Sequence, residues 1–192
     1  MTPADLASAK ADIESTDDLL VRAMKLAGIV TTLFRERGVP LVVVGGSAVE
    51  FYTEGGYMSG DIDFCRRSLR GPSLREIGDV LKPLGAKGMG RSWQVCGLFV
   101  DILGIAEMES GKDCRTLETP YGEIKLVPPE LALVERVLYA EQDAECVASA
   151  RQMMATALAD ESFDWGEAER IADLPDFKVL GGLRRLRQEV SR

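Results

Sequence analysis

Apolar residues first recur with a clear period from Leu19 onward. Leu19, Leu20, Ala23, Ala27, Ile29, Val30 and Phe34 fall on one helical stripe between Thr16-Asp17-Asp18 and Gly38-Val39-Pro40. A hydroxyl and two acids at the front suit a helix start. Residues 41–44 are then an unbroken apolar run, which predicts a short strand buried on both faces. The run meets Gly45-Gly46-Ser47, and residues 48–52 read as a short helix. A glycine-rich loop over 54–60 leads to a second short strand, 61–65. Gly71-Pro72 introduces a helix over 73–84. Residues 93–95 and 98–103 read as strands joined near Cys96-Gly97, and 115–119 with 123–127 as a hairpin around Pro120-Tyr121-Gly122.

The pattern changes after Pro128-Pro129. Residues 130–140, 145–159, 165–172 and 177–190 all carry helical periodicity. The expected fold class is α+β, a small mixed sheet with flanking helices followed by a C-terminal helical region. The expected division is an α/β domain over 1–127 and a helical region over 128–192 packed on it. No internal repeat is evident.

Composition narrows the chemistry. The chain has 192 residues and no histidine. Ser-His-Asp and Cys-His catalysis, HExxH zinc sites and histidine-bound haem are therefore excluded. Lys and Arg number 23 against 31 Asp and Glu, a net charge of −8, which argues against a sequence-independent nucleic-acid coat. Cys65, Cys96, Cys114 and Cys146 form no CxxC pair and are expected to be reduced, small core residues. The N-terminal stretch has neither the basic nor the apolar region of a signal peptide. No apolar run approaches the roughly 20 residues of a membrane span. A soluble, cytoplasmic protein is expected.

The candidate chemistry lies between residues 42 and 64. Asp61 and Asp63 are two apart on a strand, so both carboxylates project from one face while Ile62 and Phe64 face the core. Adjacent anions on one face repel unless a cation lies between them, and a hard divalent ion with oxygen ligands is the natural one. Gly45 and Gly46 let backbone N–H groups approach a phosphate at a helix N-terminus, and Ser47 adds a hydroxyl. Asp101 stands alone in the apolar strand Leu98-Phe99-Val100-Asp101-Ile102-Leu103. An unpaired buried carboxylate is costly, and a shared metal would remove that cost. Each piece alone has a plainer explanation in a solvated edge, an ordinary turn or a local ion pair. Their order along the chain is what gives them weight.

That order resembles the nucleotidyltransferase superfamily of the DNA polymerase β type: a strand, Gly-Gly-Ser, a helix, Asp-x-Asp, and a later Asp on a strand. The likeness spans residues 41–103. It extends in style to Lys125-Leu126-Val127-Pro128-Pro129-Glu130-Leu131 and the helices beyond, which are similar to small bacterial members, including nucleotidyltransferase toxins and antitoxins. The resemblance implies that Gly45, Gly46 and Ser47 cradle the triphosphate. It implies that Asp61, Asp63 and Asp101 are catalytic metal ligands for two Mg²⁺, with Mn²⁺ as the alternative ion. It also implies a cation near the triphosphate on the helix after Pro129, where this chain has Arg136 in Leu133-Val134-Glu135-Arg136. The implied activity is transfer of a nucleoside monophosphate from a triphosphate such as ATP to an acceptor hydroxyl on a protein, a tRNA or a small molecule. A toxin–antitoxin or phage-defence setting, with a partner toxin or antitoxin, is one expectation. An antibiotic-modifying transferase and a catalytically idle binding module stand as alternatives.

Further residues carry two readings each. Arg66, Arg67, Arg70 and Arg91 could meet phosphate or acceptor, or form a solvated basic surface. Arg184, Arg185 and Arg187 could meet a partner or simply be a helix's wet face above Leu183 and Leu186. Tyr52 and Tyr57 flank the glycine-rich loop and could stack on a base or pack. Trp93, Trp165 and Met153-Met154 read as core.

Overall fold

The computed structural model describes residues 1–106 and 110–192. The chain begins with a helix that the apolar pattern does not announce, α1 (Pro3–Glu14). Its start is specified by a reciprocal cap. The Asp5 N–H donates to the Thr2 hydroxyl while the Thr2 N–H donates to the Asp5 carboxylate, with Pro3 in the first turn. The periodic stripe forms α2 (Leu19–Arg35), capped by Asp18, whose carboxylate accepts the Val21 N–H. The apolar run is β1 (Leu41–Val43), buried throughout. Next come α3 (Gly45–Tyr52), β2 (Asp61–Arg66) and α4 (Leu74–Leu81). A single 3-10 turn, Lys82–Leu84, completes the helix expected over 73–84. Four more strands follow, β3 (Lys87–Met89), β4 (Ser92–Val95), β5 (Leu98–Ile105) and β6 (Arg115–Thr119), before β7 (Gly122–Leu126) closes the hairpin. β3 was not anticipated, because its Lys-Gly-Met sequence has no alternation and all three residues are exposed.

The strands form one mixed sheet in the order β3-β4-β5-β2-β1-β7-β6. β2 runs parallel to β5 and β1 runs parallel to β7, while the remaining neighbours are antiparallel. The fold class is α+β, as the element pattern predicts. The α2 stripe packs on β1 and β7 and supplies Leu26, Ala27, Ile29, Val30 and Phe34 to the core. The helices after Pro128 are α5 (Pro129–Gln142), α6 (Val147–Ala159), α7 (Trp165–Ala172) and α8 (Leu180–Val190). α5 packs against α3, α6 and α7, and its Leu131, Leu133 and Val134 belong to the same buried cluster as β1 and β7. Among the described residues, no helix is long and apolar enough to cross a membrane.

Several residues with two readings turn out to hold the fold together. The Tyr52 hydroxyl donates to the Val127 carbonyl at 2.6 Å, which ties α3 to the start of the helical region. Arg184 pairs with Glu169, Arg185 pairs with Glu141, and the Arg187 guanidinium lies 3.7 Å from the Trp165 ring centroid. These arginines fasten α8 to its neighbours. Trp93, Met153 and Met154 are buried, and the four cysteines are unpaired.

Candidate active site

The strand register assembles the carboxylates. In the parallel β2–β5 pair, Asp63 lies opposite Asp101 and Asp61 lies opposite Phe99. The period-2 alternation of both strands then turns Asp61, Asp63 and Asp101 to one face, while Ile62, Phe64, Val100 and Ile102 enter the core. One carboxylate oxygen from each aspartate lies within 4.8 Å of the other two. No Lys or Arg pairs with any of the three among the described residues. Among the described residues, the side-chain hydrogen-bond partner of the cluster is the Ser59 hydroxyl, which donates to Asp61 at 3.1 Å.

The electrostatics follow from that crowding. Asp63 is partly buried, and its carboxyl pKa is pushed up to about 6. Burial contributes most, the charges of Asp61 and Asp101 add to it, and Arg136 opposes it. Three converging carboxylates, with Arg136 as a more distant cation and no direct ion pair among the described residues, fit a divalent cation bound through oxygen.

The glycine turn lies directly beside Asp63. α3 begins at Gly45, three residues earlier than the apolar pattern suggests, so Gly45, Gly46 and Ser47 form its first turn. Gly45 has φ +64, and a Cβ there would lie 2.7 Å from an Asp63 carboxylate oxygen. Only glycine satisfies both the backbone angle and the close approach. A Cβ on Gly46 would meet the Ser59 hydroxyl at 2.8 Å. Ser47 is fully buried, and both capacities of its hydroxyl are used internally. It donates to the Val44 carbonyl at 2.9 Å and accepts the Asp63 N–H at 3.0 Å. In this arrangement Ser47 locks α3 onto β2 rather than presenting a free hydroxyl to a phosphate.

Arg136 projects from α5 toward the same place. It lines an open cleft together with Gly45, Asp63, Cys65, Glu135 and Tyr139. Its guanidinium lies 4.9 Å from the Tyr139 ring centroid, and its Nε is buried without a hydrogen-bond partner. A cationic side chain at the wall of a cleft is equipped to receive an anion. Arg66 and Arg91 line a different cleft with Ile102 and Leu103, and Arg70 pairs with Glu76 at the surface.

Sequence reasoning missed two groups. Glu50 is buried at 3% exposure, and burial raises its carboxyl pKa. It accepts the Ser59 N–H at 2.7 Å, so it holds the loop whose Ser59 hydroxyl reaches Asp61. Its signal was a lone acid on the apolar face Ala48-Val49-Glu50-Phe51. Glu135, also raised by burial, lies beside Arg136 in the cleft.

The sheet order, the carboxylate face and the glycine turn define a nucleotidyltransferase fold. Comparison with solved structures gives that class particular members. The crystal structure of ANT(2'')-Ia in complex with adenylyl-2''-tobramycin is similar at TM-score 0.50 and 17% identity, covering 85% of this chain and 96% of that one. The solution structure of the antibiotic-resistance factor ANT(2'')-Ia is similar at TM-score 0.52 and 16% identity, covering 92% and 97%. An antigenic nucleotidyltransferase-like protein from Paracoccidioides brasiliensis is similar at TM-score 0.53 and 13% identity, covering 88% and 94%. At these identities the likeness is one of fold. No family model and no curated protein sequence matches the chain.

Proposed function

We propose that this chain is a divalent-metal-dependent nucleotidyltransferase that moves a nucleoside monophosphate from a triphosphate to an acceptor hydroxyl. The observation that carries this reading is the convergence of Asp61, Asp63 and Asp101 within 4.8 Å, with no Lys or Arg in an ion pair with any of them among the described residues. Asp61 and Asp63 would hold Mg²⁺ in the shared position, and Asp101 would complete the set. Bound there, the metal supplies positive charge that offsets the triphosphate and the departing pyrophosphate.

The chain's own groups do the rest. Backbone N–H groups of Gly45 and Gly46, at the α3 N-terminus, donate to phosphate oxygens. The Arg136 guanidinium meets the same phosphates from the α5 side of the cleft. Asp101 accepts the proton of the attacking hydroxyl, whose oxygen displaces pyrophosphate from the α-phosphorus. Ser47 and Glu50 act indirectly, by fixing Asp63 and the Ser59 loop. In this scheme residues 1–127 carry the carboxylates and 128–192 supply Arg136. Catalysis is mainly positioning and charge stabilisation, and it needs no histidine.

Melting of wild type and Asp63→Asn with Mg²⁺ and each triphosphate tests the binding step. Wild type should melt higher with one or more triphosphates, and Asp63→Asn should not. Label transfer from α-labelled triphosphates to a cell extract tests turnover. Wild-type protein that responds to no metal–triphosphate pair would remove the enzymatic reading and leave the idle binding module. A small-molecule acceptor gains support from the fold shared with an enzyme solved with adenylyl-2''-tobramycin.

A further inference from the structure

A second cleft opens where β4 stops. β4 pairs with β5 only as far as Asp101, so the edge of β5 beyond it is met by the turn before β4. The Ile102 N–H donates to the Arg91 carbonyl at 2.9 Å, which brings Arg91 to that edge. By strand alternation Ile102 projects from the sheet face opposite Asp101. Ile102, Leu74 and Ile77 of α4, and the two cations Arg66 and Arg91 line the cleft, and no Asp or Glu does so among the described residues. Leu103 borders both this cleft and that of Arg136.

Packing, not an ion pair, places Arg66. Its guanidinium lies so close under Gly71 that a Cβ there would overlap a terminal nitrogen of Arg66. Gly71 has no left-handed φ, so the close approach is what requires glycine. Neither Arg66 nor Arg91 forms an ion pair among the described residues. The acids of α4 are engaged elsewhere. Glu76 accepts the Ser73 N–H at 2.7 Å and pairs with Arg70 at 3.8 Å, and Asp79 pairs with Arg75 at 3.8 Å. The segment from Arg66 to Arg75 holds four arginines and no Asp or Glu, in a chain of net charge −8. Two unpaired guanidiniums on one acid-free cleft favour an anion, and the apolar side chains beside them favour an anion that carries an apolar group.

We propose that this cleft is a second ligand site, on the opposite sheet face from the carboxylates, and that it binds a small phosphate monoester with an apolar body. A carboxylate offers two oxygens and is matched by one guanidinium fork. A phosphate monoester has three terminal oxygens and can occupy both Arg66 and Arg91. Leu74, which is 59% exposed, and Ile77 cover the apolar body. No bond is made or broken at this site, so the proposal stands apart from the nucleotidyl-transfer reading.

The test titrates the full, metal-free chain with inorganic phosphate and with phenyl phosphate at fixed ionic strength, read by the isoleucine methyl resonances. Ile77 and Ile102 report the proposed site, and Ile105, which lines the cleft of Arg136, reports the other. Both ligands should shift Ile77 and Ile102. Phenyl phosphate should bind roughly threefold to tenfold more tightly, and Leu74→Ala should remove most of that advantage while leaving inorganic phosphate alone. Arg66→Gln and Arg91→Gln should each weaken both ligands roughly tenfold to a hundredfold. Gly71→Ala should do the same while melting near wild type, since it moves only the end of the Arg66 side chain. Arg136→Gln should leave the Ile77 and Ile102 titrations unchanged, and the melting shift given by Mg²⁺ and triphosphate should persist in Arg66→Gln, Arg91→Gln and Gly71→Ala. Shifts confined to Ile105, or equal affinity in wild type, Arg66→Gln and Arg91→Gln, overturn the site. Phenyl phosphate no tighter than inorganic phosphate overturns the ligand class. None of these results depends on turnover, so failure of the transfer reading and failure of this site are read separately.

Discussion

Replacing Ser47 with alanine separates two roles for a residue in the glycine turn. If its hydroxyl served a phosphate, the ligand-free protein would hardly notice its loss. The structure assigns it a different task, so the cost should appear without any ligand. Removing Oγ leaves the Asp63 N–H without its acceptor. A donor stranded in a buried setting costs about 1–3 kcal/mol. The Val44 carbonyl loses one bond but keeps the Ala48 N–H at 3.2 Å, so its share is smaller, roughly 0.5 kcal/mol. The total is about 1.5–3.5 kcal/mol, or a drop of roughly 3–14 °C in melting temperature for a chain of this size.

Differential scanning calorimetry of metal-free wild type and Ser47→Ala measures this directly. Ser149→Ala serves as the comparison. Ser149 is equally buried, but among the described residues its hydroxyl makes one bond, to the Cys146 carbonyl at 2.8 Å, and accepts from no N–H. It should cost less, and the melting shift given by Mg²⁺ and triphosphate should be retained. A Ser47→Ala protein that melts with wild type when metal-free, yet binds triphosphate more weakly, would refute the structural role and restore the phosphate-binding one.

Three further outcomes follow from the same geometry. Because Asp63 is pushed up to about 6 from 3.8, its contribution to metal-free stability is full below pH 3.8 and lost as pH rises through 6. The wild-type minus Asp63→Asn stability difference, from urea melts, should therefore fall across that window, whereas Mg²⁺ affinity should fall about tenfold per pH unit below 6, by titration calorimetry. Gly45→Ala should destabilise by about 1–2 kcal/mol from its backbone angle alone and should also abolish the Mg²⁺-induced melting shift, because its methyl displaces the Asp63 carboxylate. Arg136→Gln should weaken triphosphate binding by roughly tenfold to a hundredfold, with Arg136→Lys intermediate because it keeps the charge and loses the planar fork.

Much of this architecture was legible where burial and period coincide. The α2 stripe, the solid apolar β1 and the alternating β2 each state their environment. The Asp61–Asp63 face needs only strand geometry. Placing Asp101 beside them needs the β2–β5 register, which is a long-range pairing that no local pattern encodes. α1 was missed because its core contribution is slight, Ala9 and Ile13, although the Thr2-Pro3-Ala4-Asp5 cap was in plain view. Ser47 shows the opposite limit. Its residue type fits phosphate binding and internal capping equally well, and only the placement of Asp63's N–H decides between them.

The absence of histidine and the charge of −8 bear on the same question. A site without imidazole draws on carboxylates, other polar side chains or a metal held by oxygen, and here three aspartates bring one oxygen each within 4.8 Å of one another. That crowding makes the centre of the sheet face strongly negative until a cation binds. The run from 80 to 100, by contrast, holds Lys82, Lys87 and Arg91 and no Asp or Glu. Net charge summed over the chain therefore argues against a non-specific nucleic-acid coat but does not describe the charge at any one site.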